Sequence, residues 1–142
     1  MKKILILAGG YSKERDISIK TGKEVAKALK KKYKVKILDP KGDFINQIKD
    51  FNPNVVFNAL HGRDGEDGYI QTILENEKIK YTHSGVRSSS IAIDKDVSKK
   101  IFIKNNILTP KYFIFSFDKK KSSLIKLIEK KTKISSSFKT FE

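Results

Sequence analysis

The chain has 142 residues, no cysteine and a formal net charge of +15 at pH 7. This length suffices for one ordinary domain with a buried core but is too short for a two-lobed enzyme. The lack of cysteine excludes disulfides, thiolate metal sites and cysteine nucleophiles, and it fits a reducing compartment. The first apolar stretch is too short for a signal peptide, and no run approaches the roughly 20 apolar residues of a transmembrane helix. We therefore expect a cytoplasmic protein with no membrane partner.

The positive charge comes almost entirely from lysine, with 28 lysines against three arginines. A basic surface attracts nucleic-acid backbones. Specific nucleic-acid sites, however, depend on arginine for bidentate contacts to bases and phosphates. Abundant lysine together with 19 isoleucines is what an A/T-rich genome encodes on any solvated surface. We therefore expect no nucleic-acid partner.

Apolar runs alternate with helical periods through the first half of the chain. The predicted strands cover residues 4–7, 35–38 and 55–60, and the predicted helices cover residues 17–29 and 44–48. Asp16 or Ser18 is the expected cap of the first helix. Alternating strands and helices with short connections predict a doubly wound α/β fold with a mostly parallel sheet.

The second half continues this alternation of strands and helices up to about residue 117. The predicted helices cover residues 69–74, 88–93 and 97–103, and the predicted strands cover residues 80–82 and 112–115. Asp94 or Asp96 is the expected cap between the last two helices. After Asp118 come a lysine cluster, a short helical pattern at 124–128 and an end without periodicity, which we expect to be poorly ordered. The expected division is one domain over residues 1–117, followed at 118–142 by the start of another domain or a tail.

Polar, glycine-containing loops follow three of the predicted strands, at residues 8–16, 61–71 and 81–86. In an open parallel sheet, ligands bind in the crevice outside the carboxyl ends of the strands. Gly68 stands just before a predicted helix, whose free N–H groups would face that crevice and suit a carboxylate or phosphate. The three loops therefore predict a single ligand site.

The loop that begins at His61 carries the most specific pattern. Taken alone, His61 could be a structural histidine that bonds a backbone carbonyl. Arg63, Glu66 and Asp67 in the same loop cannot all pack against apolar surface, and the interleaved glycines let backbone approach a ligand closely. This combination favours a binding role.

For the other candidate residues, a purely structural role is also consistent with the sequence. Glu14 is either a solvated cap residue or an acceptor for a substrate ammonium. Arg15 beside it suggests a surface ion pair of little energetic value. Gly9-Gly10 after the first strand lacks the spacing of a dinucleotide fingerprint, although Asp39 is well placed for one. No phosphate-binding loop motif and no metal-ligand motif occurs, so no metal site within the chain is expected.

Together, these motifs resemble the N-terminal part of the D-alanine–D-alanine ligase family over residues 3 to about 117. The matching blocks are Gly9-Gly10-x-Ser12-x-Glu14-Arg15-x-Ile17-Ser18, His61-Gly62-x-x-Gly65-Glu66-Asp67-Gly68-x-Ile70-Gln71, Tyr81-Thr82-x-Ser84-Gly85-Val86 and Asp94-Lys95. The block that starts at His61 is specific to that family. The resemblance implies the Rossmann-like domain that precedes the ATP-grasp domains of a longer ligase.

The resemblance also implies a reaction and the roles of several residues. The family joins two D-alanine molecules for peptidoglycan, using ATP and Mg²⁺ whose ligands belong mostly to the later domains. By the resemblance, Glu14 and His61 are the catalytic residues and Lys95 binds the cofactor, toward the nucleotide. Glu14 would bind the ammonium of the first D-alanine, and His61 would lie near its carboxylate and the developing acyl phosphate. The same resemblance assigns substrate binding to Ser18, Gly65, Glu66, Asp67 and Gly68. A homodimer through this domain is a further expectation.

This sequence differs from the family pattern at two single positions and over residues 118–142. Thr72 and His83 stand where the family often has a smaller residue. Residues 118–142 do not resemble the nucleotide-binding part, so we expect a truncated ligase that is inactive alone. The alternative is a binding module or subunit that complements a separate ATP-grasp chain.

Overall fold

The structure is a computed structural model that describes residues 1–112, together with residues 114 and 128. The chain divides into two units, Met1–Asn106 and Ile107–Glu142, and the elements below lie in the first. The strands are β1 (Lys3–Leu7), β2 (Lys34–Leu38) and β3 (Val55–Asn58), and the helices are α1 (Arg15–Leu29), α2 (Phe44–Phe51), α3 (Tyr69–Asn76), α4 (Val86–Ile93) and α5 (Lys95–Lys104).

The three strands form a parallel sheet in the order β2-β1-β3. The central strand β1 places Ile4 opposite Val35 on one side and Val55 on the other. Parallel neighbours joined through helices are typical of a doubly wound fold. The predicted α/β class is therefore confirmed.

Side chains of β1 alternate between two apolar cores, one on each face of the sheet, as strand geometry requires. Leu5 and Leu7 pack in a cluster with residues of α2 and α3, among them Ile48 and Leu74. The opposite cluster holds Ile4, Ile6 and Ala8 of the sheet side and Ala26 of α1. The sheet is thus covered by α1 on one face and by α2 and α3 on the other.

The predicted strand at residues 80–82 is reduced to a single parallel bridge between Val56 and Tyr81. The N–H of Val56 donates to the Lys80 carbonyl at 2.8 Å, and the N–H of Thr82 donates to the Val56 carbonyl at 3.0 Å. This pairing extends the sheet beyond β3 by one residue only. The edge of the sheet nevertheless holds the segment that leads to α4.

Several predicted boundaries differ from the structure. β3 ends at Asn58 rather than at residue 60, because the Leu60 N–H donates to the Asn58 side chain instead of continuing the ladder. Asp16 and Ser18 lie inside α1 and do not cap it, whereas Asp94 caps α5 by accepting from the N–H groups of Asp96 and Val97. Helices α4 and α5 each begin two residues earlier than predicted. The predictions for residues 112–115 and 118–142 fall largely outside the described residues.

Helix α1 lies unusually close to the sheet through small residues. Its buried positions are Ser18, Gly22 and Ala26, which recur every four residues and so share one face. A Cβ added to Gly22 would stand 2.5 Å from the Cβ of Ala8. The position therefore requires glycine.

Among the described residues, no helix is long and apolar enough to cross a membrane.

The substitution Gly22→Ala tests this close approach. Alanine favours an isolated helix over glycine by about 1 kcal/mol, yet the overlap with Ala8 should reverse the sign and lower the free energy of unfolding by about 1–3 kcal/mol. Urea denaturation followed by circular dichroism measures the change. Lys23→Ala, on the exposed side of the same helix turn, should leave stability nearly unchanged. A stabilised Gly22→Ala protein would contradict the packing.

Candidate functional site

Three loops meet at the carboxyl ends of the strands. We call them the β1 loop (residues 8–14), the β2 loop (residues 39–43) and the β3 loop (residues 59–68). Because β1 lies between β2 and β3, the β1 loop is flanked by both others. The chain passes from β1 to its neighbour β2 on one side and then returns past β1 to β3 on the other side. Open α/β sheets bind ligands at such a reversal of strand order.

The structure brings Glu14 and the residue after His61 into contact. A Cβ added to Gly62 would overlap the Glu14 carboxylate and would stand 2.9 Å from the Ser12 hydroxyl. Gly62 also has a φ of +69°, a conformation that side-chain-bearing residues rarely adopt. Glycine at this position therefore lets the side chains of Ser12 and Glu14 in the β1 loop lie directly against the β3 loop.

The His61 ring bridges helix α1 and the β3 loop. Its Nε2 lies 3.1 Å from the Thr21 hydroxyl, and its Nδ1 lies 3.7 Å from a carboxylate oxygen of Glu66. One third of the side chain remains exposed. The imidazole is thus oriented by protein groups yet reachable from solvent.

Ser18 occupies a different place from the other predicted substrate-binding residues. Its side chain is fully buried, and its hydroxyl donates to the Ala59 carbonyl and accepts from the Gly9 N–H, both at 2.8 Å. A hydroxyl has a single proton to donate. Ser18 therefore joins the starts of the β1 and β3 loops from beneath the site.

Gly65 anchors the middle of the β3 loop. Its carbonyl accepts hydrogen bonds from the side-chain amides of Asn58 and Gln71, both at 2.8 Å. A Cβ at this position would overlap Leu60. Asn58 and Gln71 are themselves buried. In the part of the chain that the structure describes, the side-chain oxygen Oε1 of Gln71 has no hydrogen-bond partner. Buried polar clamps of this kind restrict a loop to one conformation.

The remaining candidates of the β3 loop divide by exposure. Glu66 is half exposed. Both carboxylate oxygens of Asp67 accept backbone N–H groups, from Asp64 at 2.9 Å and from Tyr69 at 3.1 Å. Gly68, with a φ of +95°, has no room for a side chain because the Ser90 hydroxyl lies 2.5 Å from its Cβ position. Asp67 and Gly68 therefore shape the loop and the start of α3, whereas Glu66 is exposed beside the His61 ring.

Two cavities adjoin the strand ends, and His61 and Leu60 line both. The larger measures about 430 Å³ and extends over the β1 and β2 loops toward the aromatic rings of Tyr11, Phe44 and Tyr69. The smaller measures about 260 Å³ and extends from Glu66 of the β3 loop toward Ser89 and Ala92 of α4. His61 therefore stands between them.

Lys95 begins α5 next to the smaller cavity. Its ammonium donates to the carbonyl of Ala92 at 3.4 Å, and Ala92 is one of the residues that line this cavity with His61. The side chain is exposed. Lys95 is thus an exposed cation that bonds one lining residue of this cavity without lining the cavity itself.

The ion-pair partner of Arg15 differs from the one predicted, and Asp39 was not predicted to take part in an ion pair. Arg15 does not pair with its neighbour Glu14: its Nη2 lies 2.6 Å from Asp39 Oδ2 at the end of β2. Partial burial acts to raise the pKa of Asp39, but the hydrogen bonds from Arg15 and from the Gly10 N–H outweigh it and hold that pKa below its ordinary value. The hydrogen bond to Asp39 correspondingly raises the pKa of Arg15. The signal was present in Asp39, a carboxylate placed directly at a strand end.

Among residues 1–112, no group of three or more His, Cys, Asp or Glu side chains is arranged to hold a metal ion. Among the acidic side chains of the site, Asp67 accepts backbone N–H groups, Asp39 pairs with Arg15, and Glu66 lies 3.7 Å from the His61 ring.

Comparison with known proteins finds homologues that match most of this chain. No protein-family model matches the chain. The D-alanine–D-alanine ligase of Pelagibacter ubique is 64% identical over 133 residues, which are 93% of this chain and 44% of that protein. The enzyme of the same name from Zymomonas mobilis is 47% identical over 77% of this chain and 34% of its own length. The chain is homologous to the D-alanine–D-alanine ligases. The identification made from the motifs is therefore confirmed.

Solved structures agree with this homology. The D-alanine–D-alanine ligase from Bacillus anthracis complexed with ATP superposes with a TM-score of 0.73 and 32% identity, covering 92% of this chain and 54% of that one. The ligase from Coxiella burnetii has a TM-score of 0.74 at 22% identity, which supports the fold alone. The chain spans less than half the length of the curated D-alanine–D-alanine ligases it matches.

The pair of Arg15 and Asp39 predicts a pH dependence of stability. Because the folded-state pKa of Asp39 is lowered, its stabilising contribution is complete above the ordinary pKa of 3.8 and disappears as the pH falls through the folded value. Asp39→Asn should therefore be less stable than the unsubstituted protein at pH 6, and the gap should narrow as the pH falls below about 4. Urea denaturation of both proteins between pH 6 and pH 3 measures it. A gap that stays constant with pH would show that the Asp39 charge contributes nothing.

Proposed function

We propose that this chain supplies the part of a D-alanine–D-alanine ligase that binds and orients the first D-alanine. The complete activity is the ATP-dependent formation of D-alanyl-D-alanine, a cytoplasmic step in peptidoglycan synthesis. Homology to proteins of that name supports the reaction. The contact between Glu14 and the β3 loop at Gly62 is the single observation that carries the assignment of the site.

The chemistry of this contact suits a small zwitterion. The Glu14 carboxylate is exposed and would accept the ammonium of D-alanine, since opposite charges with hydrogen bonds give the strongest polar contacts. The neighbouring His61 ring would face the substrate carboxylate, held in its orientation by Thr21. Fixing both ends of the substrate aligns the carboxylate for attack, and such alignment accounts for a large share of catalysis in group transfer.

The other candidate residues would act around this pair. Glu66 lines the same cavity as His61 and would contact the substrate or the second amino acid. Ser18, Gly65, Asp67 and Gly68 would contribute by holding the two loops in place, as their internal hydrogen bonds and close packing suggest.

ATP would supply the phosphoryl group that turns the substrate carboxylate into an acyl phosphate, with Mg²⁺ balancing charge. Lys95, whose ammonium bonds the carbonyl of Ala92 beside the smaller cavity, is the residue that we propose to face the nucleotide phosphates. One ammonium on an exposed helix start fits a single phosphate contact and not a complete nucleotide site. The remaining ligands of ATP and Mg²⁺ would belong to the portion of the relatives that this chain does not match.

D-Alanine binding to the purified chain tests the substrate assignment directly. Titration of the ¹⁵N-labelled protein should shift the backbone amides of Gly62 and its neighbours, and Glu14→Gln should weaken binding by about tenfold or more through loss of the ammonium partner. Glu24→Gln removes an exposed carboxylate from helix α1, which follows the β1 loop, and should leave the affinity unchanged. Equal affinity of the two variants, or an equal response to L-alanine, would overturn the assignment.

A chimeric enzyme tests the ligase activity. Residues 1–106 would replace the matching segment of the Pelagibacter ubique enzyme, whose identity to this chain is high. The chimera should form D-alanyl-D-alanine from D-alanine and ATP, and Glu14→Gln within it should lower kcat/KM by about a hundredfold, whereas Glu24→Gln should not. A well-folded chimera without dipeptide formation would contradict the proposed function.

A further inference from the structure

The β2 loop reaches the β1 loop through one compact network. Arg15 Nη2 lies 2.6 Å from Asp39 Oδ2, and Arg15 Nη1 donates to the Gly10 carbonyl at 2.9 Å. The other Asp39 oxygen accepts the Gly10 N–H at 2.9 Å. Both polar groups of the Gly10 backbone are therefore bound by the same ion pair.

This network closes the β1 loop on itself. Gly10 stands near the start of that loop, and Arg15 follows its last residue, Glu14. A Cβ on Gly9 would stand 2.7 Å from Asp39 Oδ1 and 2.8 Å from Arg15 Nη1, so the loop backbone packs directly against the pair. The segment between Gly10 and Arg15 is held at both ends, and Glu14 lies within it.

A second ion pair in the domain shows what a simple surface pair looks like. Lys49 Nζ and Glu77 Oε2 also lie 2.6 Å apart. Both residues line a cavity with Asn54, which precedes β3 at the amino end of the sheet. This pair has the same length as the pair of Arg15 and Asp39 but lies at the opposite end of the strands from Glu14.

We propose that Arg15 and Asp39 are positioning residues, which hold the β1 loop so that the Glu14 carboxylate lies against Gly62. Arg15 is suited to this role because its planar guanidinium can bind a carboxylate and a carbonyl at once. β2, which carries Asp39 at its end, thereby contributes to the site without touching substrate. The consequence for D-alanine rests on the function proposed above, but the position of Glu14 does not.

The position of Glu14 can be measured without any ligand. Glu14→Gln should change the amide chemical shift of Gly62 in the otherwise unsubstituted chain, because the carboxylate is in contact with that residue. In an Asp39→Asn background the same substitution should change the Gly62 shift by less than about half as much, as a double-mutant cycle reveals for coupled groups. Amide shifts of β1 report whether the sheet is intact.

Matched variants separate positioning from general stability. Glu77→Gln breaks the pair with Lys49 and should leave the effect of Glu14→Gln on Gly62 at full size. Arg15→Lys keeps the charge but loses the fork, and it should reduce the effect as Asp39→Asn does; it decides the matter if Asp39→Asn does not fold. An undiminished effect in either variant would overturn the proposal, even if thermal stability falls.

D-Alanine titrations then connect the loop to the ligand. Asp39→Asn should weaken binding by about tenfold, while Glu77→Gln should not. If the unsubstituted chain does not bind D-alanine, the proposed function fails and the Gly62 measurement still decides the role of Arg15 and Asp39. If D-alanine binds equally well to Asp39→Asn and to the unsubstituted chain, the positioning role is wrong and the proposed function stands.

Discussion

The missing side chain at Gly62 is the constraint on which the candidate site depends. A Cβ there would occupy the place of the Glu14 carboxylate, so a side chain at this position would push that carboxylate away from the β3 loop. Its positive φ reinforces the requirement, since that conformation is strained for other residues. One residue thus sets how close the Glu14 carboxylate comes to the β3 loop that carries His61.

The rest of the domain holds the β1 and β3 loops in fixed positions relative to each other. The sheet order places β1 between its neighbours, Ser18 links Gly9 to Ala59 from below, and Gly22 lets α1 approach closely enough for that link to form. On the other side, buried amides hold Gly65. A polar site that binds a molecule as small as an amino acid needs such support, because a displacement of about 1 Å can cost a hundredfold in rate.

The strands, the main helices and the glycine-rich loops were predictable from the sequence, because apolar runs and periodicity record which faces are buried. The partner of Arg15 was not, since nothing local distinguishes the adjacent Glu14 from Asp39, which only the parallel pairing of β1 with β2 brings near. Burial of Ser18 could have been recognised: small residues at positions 18, 22 and 26 mark the face where α1 meets the sheet. The reduction of the strand at Tyr81 to a single bridge could not have been predicted, because the residues around Tyr81 have the pattern of an ordinary strand. How each site residue acts on a ligand stays a prediction.

The most direct test compares D-alanine affinity after alanine substitution at two glycines. Gly62 and Gly42 both have positive φ values, +69° and +57°, but a Cβ at Gly42 meets no atom within 4 Å. Backbone strain is therefore matched, and only Gly62→Ala displaces Glu14. The account predicts that Gly62→Ala weakens D-alanine binding by about tenfold or more, while Gly42→Ala retains it. Equal affinity of the two folded variants would contradict the claim that Glu14 and the β3 loop form one site.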